Sequence, residues 1–509
     1  MKKRNMILRS CSIICLIYTL MACTQVCAEW SECYEIENIS LPEGVAAEVG
    51  GIDLLDDGRL VFVFNRGEVY FYSPDTEEWS RFAEGLHNPL GVYAEAADEI
   101  YVTQYPEITR LRDTNGDGRA NRYETVNNQF GMSGNYHEFH FGLVRDEDNN
   151  FYSTLNVASN GAGVRYETRG EINPDGRQGR MFSTAPYRGW VIKTTPDGKL
   201  EPFASGFRSP NGILLNSEGN LYVTDNEGDW IGTSVIHQVE KEKFYGHPIS
   251  LAWEEGWDKG VVADYDSTYF DNRRVMPAAE FPHGDLSNSP TQPLEDTTDG
   301  AFGPFSGQIL IGEMNHPHLI RVMLEEVNGV TQGAAVKFHD SHGLDQGNNR
   351  MVFDHEGNLW MGQTHRERNW TGSTGIQKIS WTGKIPMEVL HVGLTEQGFR
   401  VRFTRPVESE KLPLEADFLI ERYYYRYDAP YGSPKLGIEE VTASNMRITD
   451  DRNEIQFDIE DLEPGYIYEM NFSEIKSTDG VNVMHPAVMY TLHQLKFKSD
   501  EVSENIDLN

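Results

Sequence analysis

The chain has 509 residues, with 44 Lys and Arg against 79 Asp and Glu, a formal charge of 44 − 79 = −35. That length suits two domains better than one, and so acidic a chain lacks the positive field that general nucleic-acid binding requires. All five cysteines (Cys11, Cys15, Cys23, Cys27 and Cys33) fall in the first 33 residues, so the remainder has no disulfide framework, cysteine-ligated zinc, thiol nucleophile or CxxCH haem attachment.

The N-terminus reads as a targeting segment. "MKKRNMILRS" carries positive charge and "CSIICLIYTLMA" is an apolar run too short to favour a spanning helix. Two processing sites compete. "LMAC" resembles a lipoprotein box, which would put a lipid on Cys23, and "VCA" (Val26 to Ala28) resembles an ordinary signal-peptidase site. Either implies export to a periplasm or cell surface, with residues 1–28 outside the folded body.

From Gly51 a phrase recurs: a small apolar start, an acidic or glycine turn, then an aromatic strand. Its copies are "GIDLLDDGRLVFVF", "GVYAEAADEIYVTQ" from Gly91, "FGLVRDEDNNFYSTL" from Phe141 and "NGILLNSEGNLYVTD" from Asn211. A degenerate fifth, "GPFSGQILIGEMN", starts at Gly303, and a sixth, "NRMVFDHEGNLWMGQ", at Asn349. One hairpin of this kind cannot bury both its faces, so repeated copies imply blades packed around a central channel. An all-β fold is therefore expected, with a six-bladed β-propeller over 29–386. After Pro386 the phrase gives way to alternating strands such as "FRVRFTRPV" and "AVMYTLHQL", the pattern of a β-sandwich (immunoglobulin- or fibronectin-like) over 387–498. Residues 499–509 form a polar, acidic tail expected to be disordered.

"DTNGDGRANRYE" has the spacing of a calcium loop. Asp113, Asn115, Asp117 and Glu124 would supply side-chain oxygens and Arg119 its carbonyl, with Gly118 at the sharp turn. The preceding residues read as strand, so such a calcium would be structural and the loop holds no base. The bland alternative is an acid-rich turn without metal.

Three clusters sit at equivalent blade ends. "GNYHEFHFG" places His137 and His140 just before the third copy, where a neutral imidazole could accept a proton. "SGFRSPNGILL" places Arg208, Ser209 and Asn211 before the fourth, and "VTDNEGDW" brings Asp225, Asn226, Glu227 and Asp229 after it. "GQTHRERNW" follows the sixth with His365, Arg366, Arg368 and Trp370. Taken singly, each is as well explained by a packed histidine, a turn or a solvated loop. A propeller would gather them at one face, where His137, Arg208 and Arg366 would meet.

These residues carry a resemblance. "LRDTNGDGRAN", "GFRSPNGILLNSEGNLYVTDNEGDW" and "YGHP", with "RYDAPYGSP" and "LEPGYIYEMNF" further on, resemble the glucose/sorbosone dehydrogenase-like six-bladed propellers, in the branch labelled as membrane-bound dehydrogenases. The resemblance runs from about Leu41 to Trp381 and into the following domain. It implies a quinoprotein using pyrroloquinoline quinone (PQQ) and a second calcium to oxidise a sugar or other polyol or aldehyde, passing electrons to an acceptor the sequence does not name. It assigns the base to His137, with His140 as the alternative, and cofactor binding to Arg208, Asn211 and Glu227; Arg366 and Arg368, at an equivalent blade end, would add anion binding. The family's arginine-amide signature reads Arg208, Ser209 and Asn211 here, so it departs from the pattern. The carbonyls that hold the family's active-site calcium fall near Glu227 and Gly228, without the usual proline. Two other functions stay open: a calcium-stabilised propeller that binds glycans or a protein without catalysis, and a metal-dependent lactonase using acids such as Asp225 and Glu227.

Overall fold

A computed structural model describes residues 27, 29–177, 179–257, 266–339, 343–365, 373–408 and 418–497. Within them, six groups of four antiparallel strands surround one axis. Their innermost strands are Val49–Leu54, Gly91–Ala96, His140–Arg145, Pro210–Leu215, Pro290–Glu295 and Asn348–Phe353. Each packs on the next, and the sixth returns to the first, closing the ring. One side chain reaches across the channel between them. Arg350, 3% exposed, donates from Nε to the Gly50 carbonyl (3.0 Å), from Nη2 to the Leu90 carbonyl (3.2 Å), and from Nη1 and Nη2 to Asn211 Oδ1 (3.3 and 3.2 Å).

In the third and sixth phrases the acid at the turn ties the hairpin. Asp146 Oδ1 accepts the Asn150 N–H (2.8 Å) and its Oδ2 the Tyr152 hydroxyl (3.0 Å). Asp354 repeats this with Asn358 (2.8 Å) and the Trp360 indole (2.8 Å). The acid satisfies turn donors that would otherwise face the blade interior, which is why the phrase is readable as a repeat. The fifth copy is degenerate for a local reason. Its inner strand, Pro290–Glu295, lies ahead of the phrase, which supplies the second strand, Ile309–Glu313.

The sixth blade is completed by the chain's start. Tyr34–Asn38 pairs with Gly375–Trp381, Tyr34 opposite Trp381 and Asn38 opposite Gln377. This fastens first and last blades and covers an edge that would otherwise be open. The buried core reaches back beyond the expected boundary at 29. Cys27 and Cys33 form a disulfide and are fully buried beside Trp30, Tyr34, Phe302 and Phe338.

The C-terminal region packs two sheets, but one of them is not its own. The outer strand of blade five, Val330–Phe338, pairs with Ala487–Leu492. The sheet then continues through Tyr466–Asn471 and Ile420–Tyr424 to Leu436–Val441, giving eight strands in one sheet. The facing sheet comprises Val389–Leu394, Gly398–Phe403, Glu454–Ile459 and Ala443–Ile448. Their shared core draws Met323, Val327, Ala334 and Val336 from blade five against Phe399, Phe457 and Tyr468. The sandwich expected over 387–498 is thus built onto the propeller through a shared sheet and a shared core.

Candidate functional site

A cavity of about 510 Å³ opens at the ends of blades three, four and five. His137 enters it from the loop ahead of blade three's inner strand. Its Nδ1 lies 2.7 Å from the Val157 carbonyl. A carbonyl can only accept, so Nδ1 carries the hydrogen and the basic lone pair resides on Nε2.

Arg208 enters from the equivalent loop of blade four and is 6% exposed. The Asp225 carboxylate accepts the N–H groups of Arg208 and Ser209, both at 2.7 Å, which fixes the turn. Asp225 is fully buried; burial raises its pKa against the opposing pull of those N–H groups. Arg208 Nε donates to Asp229 Oδ1 at 3.1 Å, and Asp229 Oδ2 lies 3.3 Å from His247 Nε2. Burial alone would raise the Asp229 carboxyl, yet His247 and Arg208 beside it hold it well below the usual carboxylate range. A Cβ on Gly228 would fall 1.9 Å from Arg208 Nε, so only glycine leaves room for the guanidinium. Glu227 Oε2 lies 2.8 Å from His283 Nδ1. Burial raises its carboxyl despite the lowering effect of His283 and Arg208.

The remaining lining is mostly neutral and polar: Ser159, Asn226, Asn288, Ser289 and Asn315. Asn226 Nδ2 donates to Ser289 Oγ at 2.9 Å, while its Oδ1 is buried without a hydrogen-bond partner among the described residues. One wall comes from the C-terminal region. The Tyr431 ring lines the cavity, with the guanidinium carbons of Arg180 and Arg208 4.3 and 5.3 Å from its centre.

His137, Arg208 and Glu227 therefore share one cavity, and four other expected residues lie elsewhere or outside the described residues. His140 is fully buried in blade three, its Nδ1 donating to the Gln104 carbonyl (3.1 Å) and its Nε2 2.9 Å from Ser153 Oγ. Burial pushes its pKa down to about 3, so it is a neutral core histidine and no alternative base. Asn211 is fully buried on the channel axis against Arg350, away from the cavity lining. Arg366 and Arg368 lie outside the described residues. His365, just before them, has Nδ1 3.6 Å from Glu48.

The calcium loop is not assembled as the spacing suggests. Asp113 Oδ1 accepts the N–H groups of Asn115 (3.1 Å) and Gly116 (2.8 Å), and its Oδ2 that of Gly118 (2.7 Å). Asp117 accepts from the Arg119 N–H (3.0 Å) and the Asn115 side chain (3.1 Å). Glu124 stands in the strand Arg122–Asn127, 2.9 Å from Arg122, with Arg112 and Arg110 at 3.8 and 3.9 Å. Strand pairing carries Glu124 to these arginines, where a helix would have returned it to the loop. At the second expected calcium position the Gly228 carbonyl accepts the Gly432 N–H at 2.8 Å. Among the described residues, no group of three or more His, Cys, Asp or Glu is disposed to hold a metal.

Arg180, His283 and Tyr431 were not singled out from sequence. Tyr431 lies inside "RYDAPYGSP", whose aromatic flanked by Pro and Gly marks an exposed loop, but nothing local says where that loop lands. A family model described as a domain of unknown function (DUF7133) matches residues 75–272, from the end of blade one into blade four. No curated protein matches the chain. Solved structures similar to it include the PQQ-bound aldose sugar dehydrogenase from Streptomyces coelicolor, at 12% identity and TM-score 0.46, covering 68% of this chain and 98% of that one. The apo soluble aldose sugar dehydrogenase from Escherichia coli aligns at 13% identity and TM-score 0.48, over 68% of this chain and 99% of that one. The holo PQQ domain of pyranose dehydrogenase from Coprinopsis cinerea aligns at 13% identity and TM-score 0.47, over 68% and 95% respectively.

Proposed function

We propose that this chain is a sugar oxidoreductase whose chemistry takes place in the cavity shared by His137 and Arg208. The observation that carries the reading is this pairing of a base with a cationic, aromatic wall. His137 Nε2 holds the lone pair because Nδ1 is committed to Val157, and Arg180, Arg208 and Tyr431 line the same space. In the proposed reaction His137 takes the proton of the sugar hydroxyl while the carbon bearing it loses a hydride.

A PQQ-type quinone fits the donor set: Arg180 and Arg208 would hold its carboxylates, and the Tyr136 ring would border it. When bound, it supplies the electrophilic carbonyl that accepts the hydride, and a separate acceptor then removes the electrons. The residues do not fit the calcium that the resemblance implies near Glu227 and Gly228, because the Gly228 carbonyl faces the Gly432 N–H and the Glu227 carboxylate faces His283, with no further carboxylate gathered beside them among the described residues. Asp225 is closed on backbone N–H groups and Glu227 on His283, which removes the open acidic wall a metal-dependent lactonase would use. The test is PQQ added to the full chain, read by absorbance and by dye reduction across a panel of aldoses. Absence of both quinone uptake and turnover refutes the oxidoreductase reading.

The proposal extends to localisation. A disulfide between Cys27 and Cys33 needs an oxidising compartment. Cleavage after Ala28 would discard Cys27, whereas processing at Cys23 retains it. A lipid on Cys23, outside the described residues, is therefore the processing route we favour, with the protein anchored at a membrane surface in the periplasm or outside the cell.

A further inference from the structure

We propose that the C-terminal loop around Tyr431 completes the binding site and that the Tyr431 ring is the wall on which a sugar ring stacks. This rests on reading the cavity as a sugar site, and it names the residue that sets ring specificity. Three backbone hydrogen bonds hold the loop to blade four: Trp230 N–H to the Asp428 carbonyl (3.1 Å), Gly432 N–H to Gly228 (2.8 Å) and Ser433 N–H to Gly232 (2.9 Å). The Tyr427 hydroxyl adds a bond to the Gly246 carbonyl. The same strip, 228–232, carries Asp229, the partner of Arg208, so Tyr431 and Arg208 are positioned by one piece of backbone. A Cβ on Gly432 would fall 2.2 Å from Glu227 Oε1, so the loop's close seating depends on glycine there.

Although bordered by two guanidinium groups, Tyr431 is 50% exposed. A half-exposed aromatic ring in a cavity that also presents the amides and hydroxyls of Ser159, Asn226, Asn288 and Ser289 suits a pyranose. The C–H face of the sugar covers the ring, and its hydroxyls meet amides and hydroxyls. Asn226 supplies the independent sign of such a ligand. It is 8% exposed, lines the cavity, and its Oδ1 awaits a donor. A sugar hydroxyl would donate to it once the amide turns toward the cavity, whereas an oxidised quinone offers mainly acceptors.

The experiment is calorimetric titration of the full chain with D-glucose, D-xylose and maltose, comparing wild type, Tyr431→Ala and Tyr431→Phe, with PQQ uptake measured in parallel. Sugar affinity should fall at least tenfold in Tyr431→Ala and stay within twofold in Tyr431→Phe, with PQQ uptake within twofold in both. The inference is overturned if wild type binds none of the sugars, if Tyr431→Ala binds them as wild type does, or if Tyr431→Ala loses PQQ uptake while keeping sugar affinity. If Tyr431→Ala does not fold, Tyr431→Leu, which keeps bulk without an aromatic face, is held to the same tenfold loss. Sugar binding that depends on Tyr431 in a chain that neither takes up PQQ nor reduces dye with it sinks the oxidoreductase reading and leaves this inference standing.

Discussion

Ala334, in the outer strand of blade five, stands directly opposite Tyr490 of the C-terminal region in one continuous antiparallel ladder. The Tyr490 hydroxyl then donates to Glu325 Oε1 at 2.8 Å, and the same oxygen accepts the Leu394 N–H at 2.6 Å. A chain ending at Pro386 would open this strand edge and strip Met323, Val327 and Val336 of the sandwich residues they pack against. An open apolar edge of that kind templates aggregation. The expected outcome is that residues 27–386 expressed alone aggregate or lose a cooperative melt. A soluble fragment melting within a few degrees of the full chain contradicts the shared-sheet account.

His137→Ala should lower turnover by roughly 10²- to 10⁴-fold, the usual contribution of a positioned general base. The melting temperature and sugar affinity should change little, because the half-buried ring packs at the cavity surface. Steady-state kinetics with the PQQ-loaded chain checks this, and unchanged kcat would remove His137 from the chemistry.

His140 gives a pH dependence of definite sign. Its folded pKa is depressed to about 3 from 6.5, so its contribution to stability is complete above pH 6.5 and is lost as pH falls toward 3. At pH 5 the unfolded histidine is protonated and the folded one is not, a loss of about 2 kcal/mol relative to pH 7. Glu280, raised to about 7, and Asp53, raised to about 6, move stability the opposite way on acidification, so a variant comparison is needed. The stability deficit of His140→Gln relative to wild type should be smaller at pH 5 than at pH 7 by about 2 kcal/mol. Urea titrations at the two pH values measure it, and an equal deficit at both counts against a neutral buried ring.

The Cys27–Cys33 bridge closes a short loop in a well-packed core. Cys33→Ala should cost about 2 kcal/mol by the loop-entropy relation. Mass spectrometry of the mature protein should find a lipid-modified N-terminus at Cys23 and a 27–33 crosslink that reduction opens. A mature chain beginning at Glu29 excludes both.

The Asp113 turn should behave as a self-capped loop. Asp113→Ala, which removes three acceptor contacts to the N–H groups of Asn115, Gly116 and Gly118, should lower the melting temperature. Added calcium should leave the wild-type melting temperature unchanged. A calcium-dependent rise that Asp113→Ala abolishes would restore the metal reading.

Much of the architecture was legible because its cause is local. The hairpin phrase repeats since each blade needs the same turn, and Asp146 and Asp354 show the acid satisfying that turn's own donors. Alternation after Pro386 likewise marks strands one at a time. The placement of His137 and Arg208 followed from topology, since a ring of blades brings equivalent loops together. What escaped the sequence depends on partners distant along the chain. The calcium spacing at 113–124 is common to a metal loop and a capped turn, and the difference lies in whether Glu124 continues a helix or joins Arg110 and Arg112 across a strand. His140 and His137 are three residues apart and look alike in sequence, but a bond to Ser153 and full burial make one structural, while the other opens onto the cavity. Above all, no local pattern says that Ala487–Leu492 will extend blade five or that Tyr431 will reach Arg208. Those contacts join residues more than 150 and 220 positions apart, and only the buried area and unsatisfied strand edges of the folded chain select them.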